Sequence, residues 1–184
     1  MPRVLTIAGS LREGSFNGAL LLAAEELAGE DVEIERYDGL RAVPAFTGDR
    51  EADEAPPEVE HLRRLIDRAD AVLFATPEYN GSIPGVLKNA LDWMSTPFPD
   101  NVLRGKTVAI VGASTGNYGA MWAQADLKKV LGLIGARVVG AGLPVERAHE
   151  RFDQSGRLVD EQVRRRLEQV LETLVTETAT ELAA

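Results

Sequence analysis

Three short stretches of the chain concentrate residues able to hold a ligand. The first is Gly9-Ser10-Leu11-Arg12-Glu13-Gly14-Ser15-Phe16-Asn17, which joins an apolar run to a helical pattern. The first turn of a helix leaves backbone N–H groups without intrahelical partners, and these attract an anion. Ser10, Ser15 and Asn17 add neutral donors, and Arg12 adds a guanidinium able to grip a phosphate. A helix terminus alone contributes only about 0.3–1 kcal/mol, so the side chains must supply the rest. The second stretch, Thr76-Pro77-Glu78-Tyr79-Asn80-Gly81-Ser82-Ile83-Pro84-Gly85, has two prolines and two glycines that fix a rigid backbone able to present N–H and C=O groups edge-on. Asn80 and Tyr79 add an amide and an aromatic face, and Ser82 with Pro84 suits the first turn of a following helix. In the third, Gly112-Ala113-Ser114-Thr115-Gly116-Asn117-Tyr118-Gly119-Ala120, closely spaced glycines let a flat ligand approach the backbone. Tyr118 is placed to cover it.

Other chemistries would use some of the same residues. Gly112-Ala113-Ser114-Thr115-Gly116 matches the G-x-S-x-G turn of serine hydrolases, with Glu146 and His149 following in the right chain order. That match is short, brings no separate oxyanion motif and leaves the two other loops unexplained. Gly105-Lys106-Thr107 is not a phosphate-binding P-loop, because Asp100 stands where its first glycine belongs and a strand follows. Gly140-Ala141-Gly142 lacks the third glycine and the helix of a dinucleotide fingerprint. A phospho-receiver domain needs an aspartate at the end of the central strand, where Thr76 stands.

The elements that must position these loops follow from hydrophobic periodicity. Val4–Ala8, Ala71–Ala75 and Thr107–Val111 are short apolar runs that read as buried strands, and Val32–Tyr37 alternates as an edge strand should. Arg137-Val138-Val139 makes a fifth. Helices are expected over Phe16–Ala28 with Ser15 as N-cap and Gly29 as stop, Glu58–Ala69, Gly85–Met94, Tyr118–Leu133, and from about Asp160 to the end. Asp38–Pro57, with its acidic run Asp49-Arg50-Glu51-Ala52-Asp53-Glu54, reads as a solvated surface loop of a length that often lines a site. Five strands joined by helical crossovers make one doubly wound parallel sheet. Ligands of such sheets sit beyond the carboxyl ends of the strands where the strand order reverses, which is where the three loops should fall. His61 and His149 read as solvated, Arg63 and Arg64 as exposed neighbours of His61, Arg164-Arg165-Arg166 as a solvated helix face, and Trp93 and Trp122 as packing anchors.

Composition narrows the field further. The 184 residues are 45% apolar and 27% charged, include no cysteine and two histidines, and carry a formal net charge of −9. Thiolate metal sites, disulfides and a cysteine nucleophile are excluded, and no metal site is expected. An acidic surface repels phosphate backbones, so nucleic acid is not an expected partner. No apolar run approaches the roughly 20 residues of a membrane span, and no signal segment precedes Val4. A cytoplasmic protein folding as one domain over residues 1–184 is expected.

Gly9-Ser10-Leu11-Arg12 with Ser15 and Asn17, followed by the run from Pro77 through Gly85 to Trp93 (PEYNGSIPGVLKNALDW), resembles the NAD(P)H-dependent FMN reductases, which include quinone, chromate and azo reductases. The resemblance covers nearly the whole chain. It implies an α/β flavodoxin-like fold, a three-layer sandwich with a five-stranded parallel sheet, a homodimer or homotetramer, and noncovalent FMN. It also implies that Ser10, Arg12, Ser15, Phe16 and Asn17 cradle the FMN phosphate, that Pro77, Glu78, Tyr79, Asn80 and Gly81 line the ring system, and that Ser114 and Gly116 close its far edge. Thr115 and Ala120 depart from the proline and glycine expected there. The reaction implied takes hydride from NADPH or NADH and then passes it to a quinone, free flavin or similar small acceptor in a separate half-reaction. The difficult chemistry belongs to the cofactor, so no protein acid or base is demanded. Tyr79 and Asn80 are the candidates for shaping acceptor approach. A flavodoxin-type electron carrier is the alternative, and Arg12 speaks against it.

Overall fold

The computed structural model describes residues 1–48 and 55–182, so the acidic run at 49–54 lies outside the described residues. Strands β1 (Arg3–Ala8), β2 (Glu33–Tyr37), β3 (Ala71–Ala75), β4 (Thr107–Ala113), β5 (Arg137–Val138) and β6 (Leu143–Val145) alternate with helices α1 (Phe16–Leu27), α2 (Pro57–Arg68), α3 (Gly85–Met94), α4 (Met121–Ile134) and α5 (Glu161–Leu182). The sheet is parallel, in the order β2-β1-β3-β4-β5. Val4 of β1 aligns with Ile34 on one side and Ala71 on the other, and Ala71 in turn aligns with Thr107.

Side chains alternate between the two faces of a strand, and that alternation builds two cores. Leu5, Ile7, Val72, Phe74, Val108 and Ile110 face α2, α3 and α4. Val4, Ala71, Leu73, Ala75, Ala109 and Ala113 face α1 and α5. Alanine at four of those last six positions leaves room for the two helices to lie close. The result is the three-layer, flavodoxin-like sandwich that the resemblance implies. Among the described residues no helix is long and apolar enough to cross a membrane.

Helix ends follow local chemistry. Ser15 caps α1, its hydroxyl accepting from the Asn17 N–H at 3.2 Å. Asp160 caps α5 by accepting from Gln162 and Val163 at 2.9 and 3.0 Å and pairs with Arg151 at 2.8 Å. The bond from Val163, with the others, holds the Asp160 carboxyl below its ordinary value. That contribution to stability is present above the ordinary carboxylate range and is lost as pH falls through the lowered value.

Three expectations need correction. The fifth sheet position is not one strand. β5 pairs with the start of β4, while β6 pairs with its end through Val111–Leu143 and Ala113–Val145. Gly140 and Gly142, at φ of 71° and 81°, turn the chain between them. The start of the stretch after β2 is not merely solvated: a single 3-10 turn at Gly39–Ala42 buries Leu40. Beyond it the Pro44 carbonyl accepts from Asn89 and the Trp93 indole at 2.9 and 2.8 Å, which pins the stretch onto α3. Arg63 is buried, its guanidinium bonded to Glu60 and to Thr96. His61 and Arg64 are exposed as expected, and Trp93 is a buried anchor.

Gly119 shows how tightly the last strand is seated. It sits at φ 56°, and a Cβ there would lie 2.6 Å from the Val145 nitrogen and 2.7 Å from the Pro144 carbonyl carbon. Left-handed backbone alone costs a non-glycine residue about 1–2 kcal/mol. With the backbone collision added, Gly119→Ala is expected to lower stability by more than about 2 kcal/mol, a Tm drop of roughly 4–8 °C at this chain length. Calorimetry checks this; an unchanged Tm contradicts it.

Candidate functional site

The chain leaves β1 toward β2 on one side and later places β3 on the other, so the strand order reverses between β1 and β3. A crevice must open at their carboxyl ends. The loops that follow β1, β3 and β4 meet there around a cavity of about 240 Å³.

From the first loop, Ser10, Arg12, Ser15, Phe16 and Asn17 line this cavity. A turn closes from the Ser15 N–H to the Arg12 carbonyl at 3.2 Å, and from outside Arg41 donates to the Leu11 carbonyl at 2.9 Å. The Arg12 side chain is exposed and makes no ion pair among the described residues. The Phe16 ring packs on Phe152 at 5.4 Å. Asn17 has another task besides. It is 3% exposed, its amide donates to the Ala113 carbonyl at 3.0 Å, and its side-chain oxygen accepts from the Ala113 N–H at 2.9 Å. That side chain ties α1 to the end of β4.

From the second loop, Pro77, Glu78 and Tyr79 line the cavity. Tyr79 and Ser82 exchange both backbone hydrogen bonds, at 2.9 and 3.2 Å. Asn80 and Gly81 between them are left-handed at φ of 54° and 76°. Two left-handed central residues are what a two-residue hairpin needs, and Asn-Gly is its strongest sequence signal. Asn80 and Gly81 are exposed at the tip of that hairpin, outside the cavity lining. Glu78 reaches across the fold, its carboxylate accepting from the Trp122 and Ala123 N–H groups at 3.0 and 3.2 Å. Helix α4 has no cap of its own, since Ala120 at its start is left-handed at φ 60° and has no polar side chain. Glu78 supplies the cap. Ser82 adds a second tie to the same helix, donating to Asp126 at 2.7 Å.

From the third loop, Ser114 and Thr115 line the cavity. The Ser114 hydroxyl accepts from the Gly116 N–H at 3.1 Å, and the Gly116 carbonyl accepts from Arg147 at 2.8 Å. Gly116 itself is exposed and is not among the residues that line the cavity. The left-handed backbone at Ala120 gives a reason why glycine suits that position. Nothing supports a hydrolase: Ser114 is not in strained backbone, and α4 starts seven residues later. His149 is exposed beside Glu150 at 3.8 Å.

Two features were not read from the sequence. One is the capping role of Glu78, which only the folded chain reveals because the helix lies 44 residues away. The other is Trp122, which is 48% exposed rather than a packing anchor. The buried positions of α4 are Ala123, Gln124, Leu127, Leu131 and Ile134, and Trp122 falls off that stripe.

The profile of the NADPH-dependent FMN reductases matches residues 2–150. This chain belongs to that family. An NAD(P)H-dependent FMN reductase of Pseudomonas aeruginosa is 42% identical over 173 residues, 94% of this chain and 92% of that protein. A quinone reductase of Escherichia coli strain K12 is 39% identical over 138 residues, 74% and 73% of the two chains. The solved structure of FerB, a flavoenzyme NAD(P)H:(acceptor) oxidoreductase from Paracoccus denitrificans, superposes with a TM-score of 0.88 at 32% identity over 98% of this chain and 99% of its own.

Removing either tie should register in stability. Asn17→Ala leaves the Ala113 N–H and C=O without their partner, a loss of about 2–3 kcal/mol for two buried hydrogen bonds. Glu78→Ala removes a helix cap, worth about 0.5–2 kcal/mol. Urea unfolding should order the proteins as wild type, then Glu78→Ala, then Asn17→Ala; equal midpoints contradict both roles.

Proposed function

We propose that the cavity holds FMN, with its phosphate toward Ser10, Arg12 and Ser15 and its ring system against Pro77, Glu78 and Tyr79. The enzyme is an NAD(P)H-dependent FMN oxidoreductase. Quinones, free flavin and similar small molecules are the proposed acceptors. The observation that carries the assignment is the Arg12 guanidinium, which makes no ion pair among the described residues, in the same cavity as Pro77, Glu78 and Tyr79 of the rigid second loop. The donor set fits the group: a cation and two hydroxyls suit a phosphate, whereas the net charge of the chain, −9, would otherwise repel one.

FMN, when bound, supplies the chemistry of accepting hydride from a nicotinamide and passing electrons onward. The protein binds, orients and stabilises. Arg12 fixes the anionic tail, and Ser15 presents the α1 N-terminus to it. Donor and acceptor use the same open side in turn, so the two half-reactions are separated in time. Residues 1–184 serve as one FMN-binding domain in this reading. The protein works in the cytoplasm as a homodimer or homotetramer, with α3 among the candidate contact elements.

Arg12→Ala is expected to weaken FMN binding by about 1.5–3 kcal/mol, the range for a hydrogen bond to a charged group. Fluorescence titration should show Kd rising about tenfold or more; an unchanged Kd removes the phosphate assignment. The purified protein should be yellow and bleach when NADPH is added anaerobically without a second protein. A yellow protein that stays yellow is a carrier. Light scattering at micromolar concentration should give a mass of two or four chains, and a monomer contradicts the proposed assembly.

A further inference from the structure

A second cavity, of about 310 Å³, opens between α4 and the break that separates β5 from β6 at the outer edge of the sheet. It shares no lining residue with the cavity of the three loops. Met121 and Ala125 of α4 and Ile110 of β4 give it apolar surface. The run Gly140-Ala141-Gly142 gives it a wall that is backbone with almost no side chain. Among the described residues no carboxylate lines it, and the side chains that carry its polarity are Gln124 and Lys128. Gln124 is 7% exposed, and its amide nitrogen donates to the Gly119 carbonyl at 2.9 Å. Its amide oxygen accepts no hydrogen bond among the described residues, which is rare for a buried acceptor. A Cβ on Gly142 would lie 2.9 Å from that oxygen, so glycine there keeps it uncovered. Lys128 is exposed and makes no ion pair among the described residues.

We propose that this cavity is a binding site for a hydroxylated aromatic carboxylate of one or two rings. The site stands apart from the FMN cavity and does not depend on it. A mostly apolar cavity near the small end of the range for ligand pockets, with few polar groups, suits a small molecule. The wall at Gly140 and Gly142 lets a flat ring approach the backbone, while Met121, Ala125 and Ile110 supply apolar contact. A hydroxyl on the ring supplies the hydrogen that the Gln124 oxygen lacks. A carboxylate pairs with the Lys128 ammonium. In a chain of net charge −9, a lining free of acids is what lets an anion enter. Gln124 and Lys128 stand one helical turn apart, with Cβ atoms about 5–6 Å from each other. Hydroxyl and carboxylate therefore belong at opposite ends of the ring system.

The probe is 6-hydroxy-2-naphthoate, titrated calorimetrically into the full chain saturated with FMN, so that the first cavity is occupied. One site per chain is expected. The analogue without the hydroxyl, 2-naphthoate, should bind about fivefold more weakly, the effect of one hydrogen bond. Lys128→Ala should raise the Kd of the probe about fivefold, the effect of an exposed ion pair, and Lys128→Arg should restore it. Ala125→Phe puts a ring into the cavity from an exposed helix position and should abolish binding. An unchanged thermal melt and FMN Kd in that variant keep misfolding from explaining the loss. A wild type that shows no saturable binding overturns the proposal. So does a Kd within about twofold of wild type in both Lys128→Ala and Ala125→Phe, which puts the probe elsewhere. Equal binding of the two naphthoates overturns it by removing Gln124 from the site. A smaller assembly mass in Ala125→Phe, with no probe bound by the wild type, overturns it too and marks a contact between copies. Failure of FMN to bind counts against the reductase reading alone, and the probe titration then decides this site by itself.

Discussion

The cavity depends on one side chain that stands in for a strand. β3 stops pairing with β4 at Val111, so the Ala113 N–H and C=O on that side have no strand neighbour. Buried backbone groups left unpaired cost about as much as a lost hydrogen bond each. The Asn17 amide answers both, with a donor and an acceptor spaced like those of a peptide group. Because Asn17 lies in the first turn of α1, the same two bonds fix the first loop relative to the third. Ser15 in turn caps Asn17, so the loop that carries Arg12 is anchored at its helical end. The Arg12 guanidinium makes no ion pair among the described residues, which leaves its charge available to a ligand.

The second loop is held differently. It has little core of its own, and its hairpin tip is exposed. Its rigidity comes from Asn80-Gly81 at the turn and from ties to α4 at Glu78 and Ser82. An acidic side chain at a helix N-terminus is favoured by the helix dipole as well as by its hydrogen bonds. Loop and helix therefore form one body, and a change on the first turn of α4 must be felt at Pro77 and Tyr79. Gly9 completes the arrangement from beneath. Its N–H bonds to the Ala75 carbonyl at 2.8 Å, and a Cβ there would press Leu87 at 3.0 Å, so the first and second loops leave the sheet almost in contact.

Much of this was legible from residue order. Apolar runs ending in glycine or a hydroxyl residue marked β1, β3 and β4, and the Ser15 cap with its helix followed from local chemistry. The three loops converge at one rim because the parallel topology leaves no other place for them. What escaped depended on distant partners. Arg63 reads as surface until Thr96 is folded beside it, and the stretch around Pro44 reads as solvent-facing until Asn89 and Trp93 donate to its carbonyl. β6 was hidden by its brevity, its proline and the Gly140-Ala141-Gly142 run before it. Trp122 reads as a packing anchor from its side-chain type, whereas its helical position lies off the stripe of Ala123, Leu127, Leu131 and Ile134 that the core buries.

The divided outer edge has a consequence for how copies of this chain behave when crowded. A continuous edge strand offers a row of unpaired peptide groups on which a foreign strand can grow. Here that row is broken by left-handed glycines after only two residues of β5, and the second piece carries Pro144, which has no N–H to give. The opposite edge, β2, presents Glu33, Glu35 and Arg36. With both borders unfit for templating, molecules that meet edge to edge find no ladder to extend, and fibre growth is starved at its first step.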